Sequence, residues 1–205
     1  MPGSIIKSIN NQCVLDSEII SEKLYVFDIL SYQGENLKKH ACKDRLLILN
    51  QLTFGKAIEV VKTAYTKADK QKLYDDLIKN NAEGIVFKLK NSPYTTGRPS
   101  SGGAQLKHKF YHTATFIVYN TTKNKRSVGL SLLEGEAKDN VKIFMGKCTI
   151  PPNHDVPNVN ELIEVRYLYC HKGGAVYQPT YLGKRMDSDL SDATMKQIVY
   201  KAEGE

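Results

Sequence analysis

The sequence predicts an α+β chain in two parts, an antiparallel sheet with helices over residues 1–110 and a small all-β barrel over residues 111–205. Three observations predict it. The first part mixes short apolar strands with two stretches at helical spacing. A loop rich in Gly, Pro, Ser and Thr covers 91–105. After Phe110 about five short strands follow one another with no long helix between them. A chain of 205 residues, 41% hydrophobic and 25% charged, has ordinary globular composition and can build one larger core or two small ones.

Each element has its own signal. "QCVLDSEII" (12–20) and "KLYVFDIL" (23–30) read as apolar strands joined by a polar turn at Ser21 and Glu22. "SYQGENLKKH" is loop-like. "CKDRLLILNQL" places apolar residues at helical spacing. "AIEVVKTAYT" reads as a strand. "TKADKQKLYDDLIKNNA" reads as a helix with Thr66 as N-cap, Leu73, Leu77 and Ile78 as its apolar stripe, and Asn80 and Asn81 as its stop. "EGIVFKLK" reads as a buried strand, and "AQLKHKF" as another. "TATFIVYNTTKNKRSVGLSLLE" alternates apolar and polar about a turn at 121–126, as a hairpin does. "NVKIFMGKCTI", "ELIEVRYLYC" and "AVYQPTYLGKRM" are further strands, and "SDLSDATMKQIVY" a terminal helix capped by Ser188 or Ser191. Strands of this number and length fit a β-barrel of the OB-fold type.

Composition narrows the function. No apolar run spans a bilayer, and no secretory signal opens the chain, so a cytoplasmic protein with no membrane partner is expected. Cys13, Cys42, Cys148 and Cys170 are far apart and form no C-x-x-C pair, which points to reduced thiols rather than a zinc site. The net charge of +7 is uneven: residues 1–110 carry 17 Lys/Arg against 11 Asp/Glu, and residues 111–205 carry 12 against 11. Residues 88–112 hold Lys88, Lys90, Arg98, Lys107 and Lys109 with no acid, a footprint suited to phosphates.

Four stretches carry unusual polar residues. "VLDSEII" places Asp16 and Glu18 in an apolar strand, "YVFDIL" sets Phe27 before an acid, and "EGIVFK" begins with Glu83 and ends with Lys88. In "QLKHKF", Lys107 and Lys109 stand two apart, so a strand puts both amines on one face. Two lysines on one apolar strand are expensive without anionic partners, which favours a pair aimed at phosphate. Singly, the acids fit an exposed strand end and Phe27 fits a core position.

In this order and spacing the stretches resemble the ATP-dependent DNA ligases, within the covalent nucleotidyltransferase superfamily. "VLDSEII" is similar to the family's third motif, with Ser17 in place of its usual Gly. "YVFDIL" resembles the motif whose Phe stacks on adenine, "EGIVFK" the fourth motif, and "QLKHKF" the fifth, whose lysines contact phosphates. Near the end, Arg185 and Asp187 match the Arg-x-Asp of the sixth motif, with Ser188 where a Lys is usual. The resemblance implies a partial nucleotidyltransferase domain, with an ATP-grasp-like antiparallel sheet and helices, followed by an OB-fold. It implies ATP and an AMP adduct, Mg²⁺ held by Glu18 and Glu83, a nucleotide contacted by Glu18, Phe27, Glu83, Lys107 and Lys109, and catalysis by Glu83, Lys107, Lys109, Arg185 and Asp187. Lys88 and Arg98 would face nicked duplex DNA, in replication, repair or recombination.

The family's nucleophilic Lys-x-Asp-Gly does not occur among the 205 residues. The nearest string, "KADK" at 67–70, lacks the Gly and follows the third motif instead of preceding it. The resemblance is therefore to the C-terminal portion of a ligase, working with a separately encoded N-terminal half or standing as a truncated product. Strands such as "VLDSEII" would then have an open edge. A non-catalytic DNA-binding remnant and an RNA ligase or capping-type enzyme are the alternatives.

Overall fold

The computed structural model describes residues 12–97, 103–134 and 141–202. They form two units. The first takes the described residues up to Asp76 together with Ile85–His108, and the second takes Leu77–Gly84 with Lys109–Ala202. Among the described residues no helix is long and apolar enough to cross a membrane.

In the first unit, β1 (Cys13–Ile20), β2 (Lys23–Tyr32), β3 (Glu35–Asn36) and β4 (Ile58–Val60) share one sheet. β2 is its centre, antiparallel to β1 and β3 and parallel to β4. β2 alternates partly and fully buried residues over 23–28, as a strand packed on one face does. The expected loop "SYQGENLKKH" contains the end of β2 and all of β3. Gln33 and Gly34, both at positive φ (48° and 84°), make the two-residue turn between them, matching the twist of a hairpin. The expected strand "AIEVVKTAYT" shrinks to β4. β1 pairs only with β2 among the described residues, and its ladder shifts register twice, which blunts an open edge.

Helix α1 (Cys42–Gln51) buries Cys42, Leu46 and Leu49, which join Leu24, Val26 and Ile29 of β2 in one core. Its N-cap residue, Ala41, has no side chain that can accept a hydrogen bond. The carbonyls of Ser92 and Lys90 accept from the amides of Cys42 and Lys43 instead, both at 2.9 Å. Helix α2 (Lys67–Lys79) is capped as expected: Asp69 N donates to Thr66 Oγ1 at 3.1 Å, and Asn81 ends it at φ 53°. Its apolar stripe is not buried, however, and no residue of α2 is fully covered.

β5 (Gly84–Lys88) and β6 (Gln105–Lys109) form a two-stranded pair. "EGIVFKLK" is a strand but not a buried one. Val86, Phe87 and Leu89 are 47%, 49% and 63% exposed, because a pair of strands has too few neighbours to cover both faces.

The second unit is a five-stranded antiparallel sheet of β7 (His112–Thr121), β8 (Ser127–Glu134), β9 (Val141–Thr149), β10 (Leu162–Tyr167) and β13 (Thr180–Lys184), in the order β13-β10-β7-β8-β9. β11 (Tyr169–Cys170) and β12 (Val176–Tyr177) make a small separate hairpin, and Gln178 at φ 53° breaks the expected "AVYQPTYLGKRM" strand in two. No ladder joins β13 to β9 among the described residues, so the barrel expected from the strand count is not closed. β7 and β8 do not alternate. Residues 114–118 and 128–133 are buried without interruption, because the chain end covers a second face. There Gln197 Oε1 accepts from Thr115 N at 2.9 Å, and Ala193 and Ile198 enter the core. The expected terminal helix is instead two 3₁₀ turns, Leu190–Asp192 and Met195–Gln197. Asp189, not Ser188 or Ser191, leads the first, and its amide donates to Asp192 Oδ2 at 2.8 Å.

Gly146 sits in β9 where its ladder with β8 shifts register, between the partners of Gly129 and Ser131, at φ 100°, and a Cβ there would meet the Ala175 Cβ at 2.7 Å. Gly34 has the same freedom of φ but open space around it. Gly146→Ala is expected to destabilise the chain by at least about 2 kcal/mol, strain and clash together, and Gly34→Ala by about 1 kcal/mol from strain alone. Urea unfolding of the two variants side by side checks the ranking.

Candidate functional site

The residues singled out in the sequence divide between the two units. In the first, the "YVFDIL" strand carries a buried ion pair. Asp28 is 0% exposed and Arg45, from α1, 1%. Arg45 Nε and Nη2 donate to Asp28 Oδ1 and Oδ2, both at 2.9 Å, in the two-pronged geometry that a guanidinium and a carboxylate favour. Asp28 Oδ1 also accepts from Ile29 N at 2.9 Å, and Arg45 Nη1 donates to the carbonyls of His40 and Ser92. No buried side-chain polar atom among the described residues lacks a partner.

Lys88, the last residue of "EGIVFK", joins this network from β5. Its Nζ donates to the Phe27 carbonyl at 2.6 Å and reaches Asp28 Oδ2 at 3.4 Å. The same ammonium stands 5.7 Å from the centre of the Phe27 ring. The sequence marked Lys88 for DNA, but in the structure it turns inward to hold the backbone and ring of Phe27. Tyr94, in the loop after β5, closes the arrangement by donating its hydroxyl to Asp16 Oδ2 at 2.8 Å, with the Arg45 guanidinium 5.7 Å from its ring. Burial first, then the bond to Asp16, pushes the Tyr94 hydroxyl up to about 12. Sequence reading missed Arg45, Asp28 and Tyr94 as site components. The signal available was an Arg in an otherwise apolar helix and an Asp at an inward position of β2.

Glu18 lies exposed on β1 opposite Tyr25, and Lys107 lies exposed on β6. Neither makes an ion pair with another described residue. Arg98 lies outside the described residues. "KADK" occupies the first turn of α2, where Lys67 and Lys70 line a shallow cleft of about 350 Å³ with Gln71, Tyr74, Ile85 and Phe87. No predicted site residue lines that cleft.

In the second unit, Glu83 and Lys109 meet across the ends of β5 and β6. Lys109 Nζ donates to Glu83 Oε1 at 2.7 Å, and Phe110 N to the Glu83 carbonyl at 3.0 Å. Partial burial works to lower the Lys109 pKa, but the Glu83 carboxylate more than reverses this and holds it above the usual lysine value. Arg185 and Asp187 form a local two-pronged pair just after β13, at 2.7 and 3.1 Å, which lowers the Asp187 pKa below the ordinary carboxylate range.

Glu83 is paired with Lys109, and no three metal-ligating side chains cluster among the described residues.

Residues 16–109, which contain Phe27, Asp28, Arg45, Glu83, Lys88, Lys107 and Lys109, match the family model of the ATP dependent DNA ligase domain. The match covers a little under half of the chain. Over 83 residues the chain is 34% identical to a DNA ligase of Nanoarchaeum equitans, and over 121 residues 28% identical to one of Archaeoglobus fulgidus. The matched stretches are 38% and 57% of this chain but only 15% and 22% of those relatives. In fold the chain is similar to a solved structure from a structure-function analysis of Lig E DNA ligases, with a TM-score of 0.54, 18% identity, 80% of this chain covered and 63% of that one. The matched segment contains both the Phe27 and the Lys88 strands. The Asp28–Arg45 pair is the means by which this chain holds them.

Two outcomes follow from this geometry. Arg45→Met strands the Asp28 carboxylate in the core and is expected to destabilise the first unit by about 3–5 kcal/mol, read as an early unfolding transition. The raised Tyr94 pKa means that the folded chain keeps a proton which the unfolded chain loses near pH 10. Its contribution is full below pH 10 and disappears as pH approaches 12. Tyr94→Phe is therefore expected to be less stable than the parent near neutrality, by about 1 kcal/mol, with the difference closing between pH 10 and 12 in parallel urea titrations.

Proposed function

We propose that this chain forms part of an ATP-dependent DNA ligase that seals nicks in duplex DNA through adenylylated intermediates, the nucleophilic lysine not being among these 205 residues. The observation that supports this best is Phe27 held beside Lys88 by the buried Asp28–Arg45 pair, within the ligase-domain segment. A half-buried ring fixed at its backbone carbonyl offers a firm stacking surface for adenine. Lys107 and Lys109, two apart on β6, would meet the phosphates. Lys109 would exchange Glu83 for phosphate as the nucleotide enters. Arg185, held in place by Asp187, would supply a further cation for phosphate. We assign Lys88 to positioning Phe27 rather than to DNA, and keep Glu18 as a candidate for the nucleotide and Arg98 for the duplex.

Ligation moves negative charge at phosphorus in every step, so it depends chiefly on positioned cations and on orientation. The second unit supports DNA binding. Its open strand order β13-β10-β7-β8-β9 is compatible with the expected OB-type sheet, a scaffold that would lay basic residues on a backbone without reading sequence. No step is routed through Mg²⁺.

The isolated chain, which has no Lys-x-Asp-Gly among its residues, is expected to take up no covalent AMP from labelled ATP. It is expected to join a nick whose 5′-phosphate is already adenylylated, because that step uses the lysine only as a spent carrier. Phe27→Ala should slow this joining by roughly 5- to 100-fold, the range of a lost base–aromatic stack. Robust self-labelling would falsify the assignment of the nucleophile. Binding of the adenylylated nick without joining would leave a DNA-binding protein rather than a ligase.

A further inference from the structure

In the second unit, aromatic rings and cations gather about the short β11–β12 hairpin. Tyr169 and Tyr177 are cross-strand partners whose rings stack with centres 5.0 Å apart and planes at 16°. His171 stands edge-on to Tyr169 at 5.3 Å. The next residue, Gln178, holds a left-handed φ of 53°, a conformation that side chains beyond Gly, Asn and Asp seldom take and that marks functional sites more often than others. That backbone turns its side chain onto two groups at once. Gln178 Oε1 accepts from the Tyr111 hydroxyl at 3.3 Å and from Lys109 Nζ at 3.5 Å. Tyr111 and Tyr177 both lie within electrostatic reach of that ammonium. The Arg166 guanidinium sits 4.7 Å from the centre of the Tyr111 ring. Tyr111 and Tyr177 are 40% and 41% exposed, whereas Tyr169, stacked on Tyr177, is 9% exposed.

We propose that Tyr111 and Tyr177, with Lys109 and Arg166 at their rim, form a platform that binds single-stranded nucleic acid by stacking on an unpaired base. The hairpin alone accounts for the Tyr169–Tyr177 stack, since cross-strand aromatic pairs stabilise hairpins. It does not account for a strained Gln178 that ties Tyr111 to Lys109, nor for an arginine laid over an exposed tyrosine. Exposed rings beside cations suit a ligand that carries both a π-face and phosphate. A base inside a duplex has its π-faces covered by its neighbours, so only an unpaired one meets the platform. The inference goes beyond the ligase reading and needs neither ATP nor an adenylylated end. Tyr111, Arg166 and Tyr177 all lie outside the ligase-domain segment.

The test uses the whole chain with labelled oligo(dT), oligo(rU) and a blunt duplex of equal length, followed by anisotropy. The chain has 12 Tyr and no Trp, so quenching of tyrosine fluorescence reports stacking directly. Either single strand is expected to bind more tightly than the duplex and to quench. Tyr177→Leu and Tyr111→Leu should each weaken that binding roughly fivefold or more, Tyr177→Phe should preserve it, and duplex affinity should not change. Arg166→Gln should reduce the slope of affinity against salt by about one. Thermal melts of each variant separate lost stacking from lost folding. Where Tyr177→Leu disturbs the hairpin, Tyr111→Leu, which lies outside it, decides. Single strands bound no better than duplex, or folded Leu variants with parental affinity, overturn the platform. Either result leaves nick joining as it was, so the two readings fail separately.

Discussion

The arrangement of the first unit depends on one buried ion pair. Asp28 and Arg45 are removed from water together, and two charges in a core are tolerable only when every lone pair and proton is satisfied. Here β2 supplies the carboxylate, α1 the guanidinium, β5 the Lys88 ammonium, and the loop after β5 the Ser92 carbonyl. The requirement to satisfy one pair thus fixes four pieces of chain against one another. The same loop caps α1 through the carbonyls of Lys90 and Ser92, so the helix that carries Arg45 is itself started by the segment its side chain holds. A hydrophobic core sets a distance between elements. This network also sets their register, and register decides whether Phe27 is backed by a cation.

The second unit is organised around Lys109 in a looser way. Glu83 and Gln178 approach the ammonium from different stretches of chain, and the surroundings are partly open to water. Such a pair contributes little to stability on the scale of the buried one. It keeps the Lys109 ammonium charged beside a carboxylate that is itself partly open to water. The contrast is instructive: the closed network orients the backbone of Phe27, and the open one leaves a cation available.

Much of this was legible in the chain. The strands with clear period-2 or apolar runs stood where expected, and Thr66 capped its helix because a hydroxyl before a helical pattern has one favoured use. The failures share a cause. "EGIVFKLK" read as buried, and α2 read as having a buried stripe, because apolar character describes what a segment can bury and not whether anything lies over it. β7 and β8 read as alternating, and their runs of burial came from the chain end folding over Thr115. The terminal helix failed for the complementary reason, since Ala193 and Ile198 are drawn into a core that a continuous helix would not fill in that way. Lys88 was assigned to DNA, and a lone lysine on a strand gives no sign of its contact with the Asp sixty residues earlier.

The sequence by itself determined the identity of the ligase-like motifs, their order, and the absence of Lys-x-Asp-Gly among these residues, because those are properties of composition and spacing along one dimension. Only the tertiary structure decided which polar residues are structural and which remain available. A charge buried at Asp28 must recruit Arg45 and Lys88 wherever they fall in the chain, and Lys109 keeps its reach because the fold leaves it beside Glu83 and water. Desolvation depends on what surrounds a group in three dimensions, and no spacing along the chain encodes it.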